Sequence, residues 1–185
     1  MSALLRFRDV SLRRGGRLLF EGLSFDLQPG DALQVRGRNG SGKSSLIRLA
    51  AGLLSQDRGE VERSPLALAD DHVALDRERS LRASLSFWGG AVDQALEAYR
   101  LGHLADVPVR LLSSGQLKRA TLARVHASAI PLWLLDEPLN ALDTDGIEEL
   151  GSVIAKHLDR GGAILAASHQ PLPGEWRTID LEQHR

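Results

Sequence analysis

Residues Gly37-Arg38-Asn39-Gly40-Ser41-Gly42-Lys43-Ser44 constrain the fold of this chain more than any other stretch. Their spacing is G-x-x-x-x-G-K-[ST], a loop whose glycines turn the backbone so tightly that successive N–H groups face one anion. Such a loop works between a strand and a helix. Ala32-Leu33-Gln34-Val35 before it reads as the strand, and Leu46, Leu49, Ala50 and Leu53 after it recur at helical spacing. Bound phosphates therefore meet a helix N-terminus and its dipole. Lys43 supplies a point charge to the outer phosphates, the Ser44 hydroxyl is a Mg²⁺ ligand, and Ser45 joins the nucleotide contacts. The fold class that follows is α/β.

The second half of the chain narrows the chemistry. Leu132-Trp133-Leu134-Leu135-Asp136-Glu137 is an apolar run ending in two carboxylates. Apolar residues without alternation suit a strand buried on both faces, as in a parallel sheet. Ligands of open α/β sheets lie beyond the carboxyl ends of such strands. Asp136 is thus expected beside the phosphate loop, holding Mg²⁺ directly or through water. Glu137, one residue later, points elsewhere and can polarise an attacking water.

Between these motifs lies Leu112-Ser113-Ser114-Gly115-Gln116, followed by Lys118 and Arg119. It resembles the LSGGQ signature of ABC-type ATPases. Asn140-Ala141-Leu142-Asp143 resembles their D-loop, and His169 in Ser168-His169-Gln170 resembles their switch histidine. The order of motifs is that of the family and covers nearly the whole chain. The resemblance implies a P-loop NTPase fold with a RecA-like core, an N-terminal antiparallel β subdomain and a small helical subdomain at about 76–126, all within one domain spanning 1–185. It implies ATP and Mg²⁺ as cofactors, with Glu137 as base and Lys43 and His169 stabilising developing charge. It also implies a split site, in which two protomers face head to tail as a homodimer. The signature residues Ser113, Ser114, Gly115 and Gln116, with Asp143 of the D-loop, then contact the nucleotide of the opposite protomer. A helix beginning near Ser114 has free N–H groups for that contact. Ser113 equally suits an ordinary helix N-cap.

Composition sets the remaining bounds. A chain of 185 residues, 43% hydrophobic, suits one domain with a substantial core. The net charge of −1 gives no general pull toward nucleic acid or anionic lipid. The absence of cysteine excludes disulfides, thiolate catalysis and Cys-based metal sites. No apolar stretch approaches the roughly 20 residues that span a bilayer, and residues 1–6 carry no signal-peptide pattern. The expectation is a soluble cytoplasmic protein whose membrane partner, if it serves transport, is another chain.

Along the chain, residues 3–35 read as antiparallel strands with a turn at Pro29-Gly30-Asp31. Asp57-Arg58-Gly59-Glu60 reads as a turn, and Leu66–Ala69 as a short strand. Residues 76–126 look helical. Residues 130–185 return to strand–helix–strand, with Ile147, Leu150, Ile154 and Leu158 on one face of a helix near Asp145–Leu158.

Within the family, Leu18-Leu19-Phe20-Glu21-Gly22-Leu23-Ser24-Phe25, the Asp136-Glu137-Pro138 strand end and Ser168-His169-Gln170-Pro171-Leu172 are similar to the haem exporter ATP-binding subunits of cytochrome c maturation. That implies a peripheral ATPase on the cytoplasmic face of the bacterial inner membrane, partnered by a separate ABC permease subunit. No direct haem binding is expected, because the chain has no Cys-x-x-Cys-His motif. The ATPase subunit of another ABC transporter, or a nucleotide-gated assembly module with little turnover, stands as the alternative. Three departures from the family pattern are visible. No glutamine lies between Asp57 and Asp93, so the Q-loop position falls on His72 or on Asp71. Arg14 stands where an aromatic usually stacks on adenine; it either stacks on the base or is a solvated surface arginine. Ser114 replaces the second signature glycine.

Overall fold

The computed structural model describes residues 3–70, 72 and 74–184. Strands β1 (Leu5–Arg14) and β2 (Arg17–Leu27) form an antiparallel hairpin closed at Gly15-Gly16. Strand β3 (Ala32–Arg36) enters the phosphate loop, and helix α1 (Lys43–Ala50) leaves it. Strands β4 (Arg58–Arg63) and β5 (Leu66–Ala69) follow. Helices α2 (Leu81–Ser86), α3 (Val92–Ala98) and α4 (Ser114–Ala127) come next, with single 3-10 turns at Gly102–Leu104 and Val109–Leu111. Strand β6 (Leu132–Asp136), helix α5 (Thr144–Asp159) and strands β7 (Ala163–Ala167) and β8 (Arg177–Asp180) complete the order, and a 3-10 turn at Leu181–His184 ends it.

Two sheets result. One is three-stranded in the order β2-β1-β4, and the other five-stranded in the order β5-β6-β7-β3-β8. All four pairings of the second sheet are parallel. Its central strands β6, β7 and β3 are buried on both faces, and their two-residue period divides the interior in two. Leu132, Leu134, Leu165, Leu33 and Val35 pack with α1 and the antiparallel sheet. Trp133, Leu135, Ile164 and Ala166 pack with the helices of 81–127 and with α5.

Three readings of the sequence need correction. β3 is parallel, not antiparallel: it pairs with β7 and β8 through long-range contacts that no local pattern encodes. Residues 58–63 form an edge strand on β1 rather than a turn. Their side chains are exposed apart from half-buried Val61, so no apolar alternation announces the strand. Leu53 lies outside α1 and is 62% exposed. The helix stops at a Schellman motif, in which Gly52 at φ 79° lets its own N–H reach Leu49 O and lets Leu53 N–H reach Arg48 O. Residues 76–126, expected to be helical, hold three helices joined by loops. The last helix is close to expectation, with Leu150 and Ile154 buried and Ile147 and Leu158 packed beside them.

Candidate nucleotide site

The phosphate loop forms as its sequence requires. Gly37, Gly40 and Gly42 take φ values of 148°, 76° and 109°. Gly42 starts α1 with no side-chain cap, and the first turn carries no acid. The terminal N–H groups are therefore left for an anion, and the helix dipole favours one there. Arg38, Asn39 and Gly40 line the open rim, while Ser41 and Ser45 are buried. Lys43 is 6% exposed, and its Nζ donates to Gly37 O at 3.0 Å and to Arg38 O at 3.4 Å. The loop thus holds a buried ammonium by its own carbonyls until a stronger acceptor arrives.

The end of β6 delivers both carboxylates. Asp136 is the last ladder residue, opposite Ala167 of β7. Glu137 N–H still donates to Ala167 O at 2.8 Å, and its backbone then turns into the left-handed region at φ 45°. That turn separates the two acids. Ser44 Oγ donates to Asp136 Oδ1 at 3.1 Å. Glu137 Oε1 lies 3.8 Å from Lys43 Nζ, and Glu137 Oε2 lies 2.8 Å from His169 Nδ1. Lys43, Ser44, Asp136, Glu137 and His169 therefore form one cluster at the carboxyl edge of the parallel sheet, where an α/β fold binds its ligands.

Ser44 and Asp136 fit a hard divalent cation: two oxygen donors at the phosphate loop, one of them a carboxylate. Among the described residues no group of three or more His, Cys, Asp or Glu side chains forms a metal cage. Mg²⁺ takes most of its ligands from substrate phosphates and water.

The signature segment folds as a helix start. Ser113 caps α4 by accepting from Gln116 N–H at 3.3 Å, and the Gln116 side chain accepts from Ser113 N–H at 2.9 Å. This reciprocal capping box was readable as S-x-x-Q. Ser113 and Ser114 are exposed. Gly115 presses on the D-loop: a Cβ there would sit 2.9 Å from Ala141 O. Asp143 caps α5, accepting from Gly146 N–H at 2.9 Å.

The family model for ABC transporter matches residues 20–140. The chain belongs to the ABC transporter family. It is 52% identical over 177 residues to "Cytochrome c biogenesis ATP-binding export protein CcmA" of Sphingopyxis alaskensis, covering 91% of each chain. The protein of that name from Zymomonas mobilis is 46% identical, with 98% of this chain and 86% of the relative covered. The one from Pseudomonas putida is 36% identical over 99% of both. A putative ABC transporter ATP-binding protein of Pyrococcus furiosus shares the fold at TM-score 0.86 and 20% identity, over 97% of this chain and 98% of that one. A putative metal-chelate type ABC transporter in an inward-facing conformation superposes at TM-score 0.79 and 26% identity, over 97% and 80%. ATP hydrolysis coupled to transport is the activity of this ABC ATPase.

The ABC fold places the two unusual residues differently. Arg14, at the end of β1, reaches α1: its Nη1 lies 3.4 Å from Ser45 Oγ, beside the phosphate loop. His72 is exposed, 3.4 Å from Arg48 in the last turn of α1, and its N–H donates to Asp70. None of these contacts joins it to the Lys43–Glu137–His169 cluster. Asp71, the other Q-loop candidate, lies outside the described residues. Sequence reasoning missed Lys118, whose Nζ lies 3.4 Å from Asp136 O, and Gln34, which binds the His169 turn. Gln34 carried a signal, since it is a polar residue inside an apolar strand.

Proposed function

We propose that this ABC ATPase drives an export complex of cytochrome c maturation. It would act as a homodimer docked on a separate permease subunit at the cytoplasmic face of the bacterial inner membrane. The observation that carries the reading is similarity to proteins of that printed name at 36–52% identity over nearly the full length of both chains. The whole chain, 1–185, then works as one ABC domain, with helices α2 to α4 as its helical subdomain. No helix among the described residues is long and apolar enough to cross a membrane, so the transport path belongs to the partner. Exposed Phe87 and half-exposed Trp88, packed edge to face at 5.3 Å, offer an aromatic surface for that contact.

The site residues divide the work. Lys43 leaves the Gly37 and Arg38 carbonyls for the phosphates. Ser44 and Asp136 hold Mg²⁺, which when bound offsets charge on the transferring phosphoryl group. Glu137 accepts a proton from the attacking water, and His169, fixed on the same carboxylate, orients it. Ser113 to Gln116 of the facing protomer complete the site. Arg14, beside the loop, would stack its guanidinium on the adenine. His72 keeps a supporting role in hydrolysis from the Q-loop position. No nucleic acid and no direct contact with haem is involved.

Deletion and complementation test the assignment. Loss of the gene should abolish haem-stained c-type cytochromes, restored by the wild type and not by Lys43→Ala. Unchanged c-type cytochromes in the deletion strain would overturn the assignment and leave the ATPase standing.

A further inference from the structure

Gln34 sits in β3 at 0% exposure, between Leu33 and Val35, with a parallel strand on either side. Leu33 and Val35 face the core shared with α1, so Gln34 faces the other way. An amide buried in a central strand is costly unless it is hydrogen-bonded. Here it is fully engaged. Its Nε2 donates to Gln170 O at 2.7 Å and lies 3.4 Å from Ser168 O. Its Oε1 accepts from Arg36 Nη2 at 3.2 Å.

The two carbonyls flank His169. The turn that carries the histidine is further tied by Ser168, whose Oγ donates to Gln170 O at 2.8 Å and accepts from Gln170 N–H at 3.1 Å. Ser168 N–H donates to Val35 O at 3.3 Å. Residues 168–170 are thus clamped onto the strand that launches the phosphate loop. The clamp delivers His169 Nδ1 to Glu137 Oε2 at 2.8 Å.

We propose that Gln34 is a positioning residue for ATP hydrolysis, fixing the His169 turn against Glu137 by holding the carbonyls on both sides of the histidine. It touches no reacting atom and acts through His169, so the inference rests on the role given to His169 above. An apolar residue of similar length fills the same space but leaves Ser168 O unpaired and Gln170 O held by Ser168 alone. The imidazole then wanders, and a misplacement of about 1 Å at such a group costs up to about 100-fold in rate.

The test is steady-state ATP hydrolysis by the complex with its permease, comparing wild type, Gln34→Met, His169→Ala and the double variant. Gln34→Met is expected to lower kcat about 10-fold with KM within about twofold, because ground-state binding of the phosphates is untouched. In the His169→Ala background the same change should alter kcat less than about twofold, because the clamp has nothing left to position. A wild-type kcat in Gln34→Met overturns the proposal. So does an equal loss in both backgrounds, which marks a general effect on the fold. A wild-type kcat in His169→Ala refutes the role of His169 itself and takes the inference with it. If Gln34→Met does not fold, Ser168→Ala loosens the same turn from the other side. Non-additivity with His169→Ala then supports the clamp, and additivity overturns it.

Discussion

Acid should destabilise this protein through His157. Its ring stacks on Trp133 with centroids 3.7 Å apart and planes at 16°, and its Nε2 lies 3.0 Å from Pro131 O. Burial first, and then His126 and Arg160 nearby, push its pKa down to about 4, against hydrogen bonds to the Pro131 and Ala163 backbones that raise it. An unfolded imidazole titrates near 6.5. The folded value is depressed, so between about 6.5 and about 4 the unfolded chain binds the extra proton. Stability is therefore fully present above about 6.5 and falls as pH drops toward 4, by on the order of 1–2 kcal/mol in all once solvent screening of this partly exposed ring is discounted. His126 is displaced downward too, by burial first and then by Arg160 and Lys156, and adds in the same direction. His157→Phe keeps a ring on Trp133 but cannot be protonated, and it forfeits about 1 kcal/mol of hydrogen bonding to Pro131. Urea denaturation at several pH values from 7.5 to 4.5 separates this group from the carboxylates common to both proteins. The wild type should be the more stable at pH 7.5, and its advantage should vanish or reverse by pH 4.5. A constant difference across that range would refute the linkage.

Three site predictions stand beside that of Gln34. Lys43→Ala should bind ATP about 10–100-fold more weakly while remaining folded, because one charge-assisted contact is lost and no core packing with it; unchanged affinity by calorimetry contradicts the phosphate-loop assignment. His72→Ala should lower kcat with little change in nucleotide affinity, and His72→Gln should restore much of the rate; superimposable pH–rate profiles for the three proteins would return His72 to the ordinary surface. Glu137→Gln should bind ATP and barely hydrolyse it.

The legible parts of this protein are those whose chemistry demands contiguous residues. The loop from Gly37 to Ser44 must be read from one stretch of chain, and the strands ending at Asp136 and Ala167 announce themselves because burial on both faces forbids polar residues. The direction of β3 depends on β7, some 130 residues away, and no window of sequence holds that information. β4 was hidden because an edge strand stabilised by ladder bonds to β1 needs no apolar face. Leu53 was misplaced because periodicity ignores the stop written by Ala51-Gly52. Ser113 and Gln116 show a different limit: one S-x-x-Q string serves as helix cap and signature at once, and the capping bonds are the part a single chain displays. Gln34 was visible as an exception within an apolar strand, but its purpose required the position of Gln170 in space.

In the mechanism we propose, Glu137, held between Lys43 and His169, activates the water at a site formed by this loop and a facing protomer. Phosphate release by Glu137→Gln in complex with the permease tests it most directly, with retained nucleotide measured in the same sample. Hydrolysis should be slower by about 10²–10⁴-fold, with intact ATP trapped between paired protomers. Turnover at the wild-type rate, or loss of ATP binding together with turnover, would contradict it.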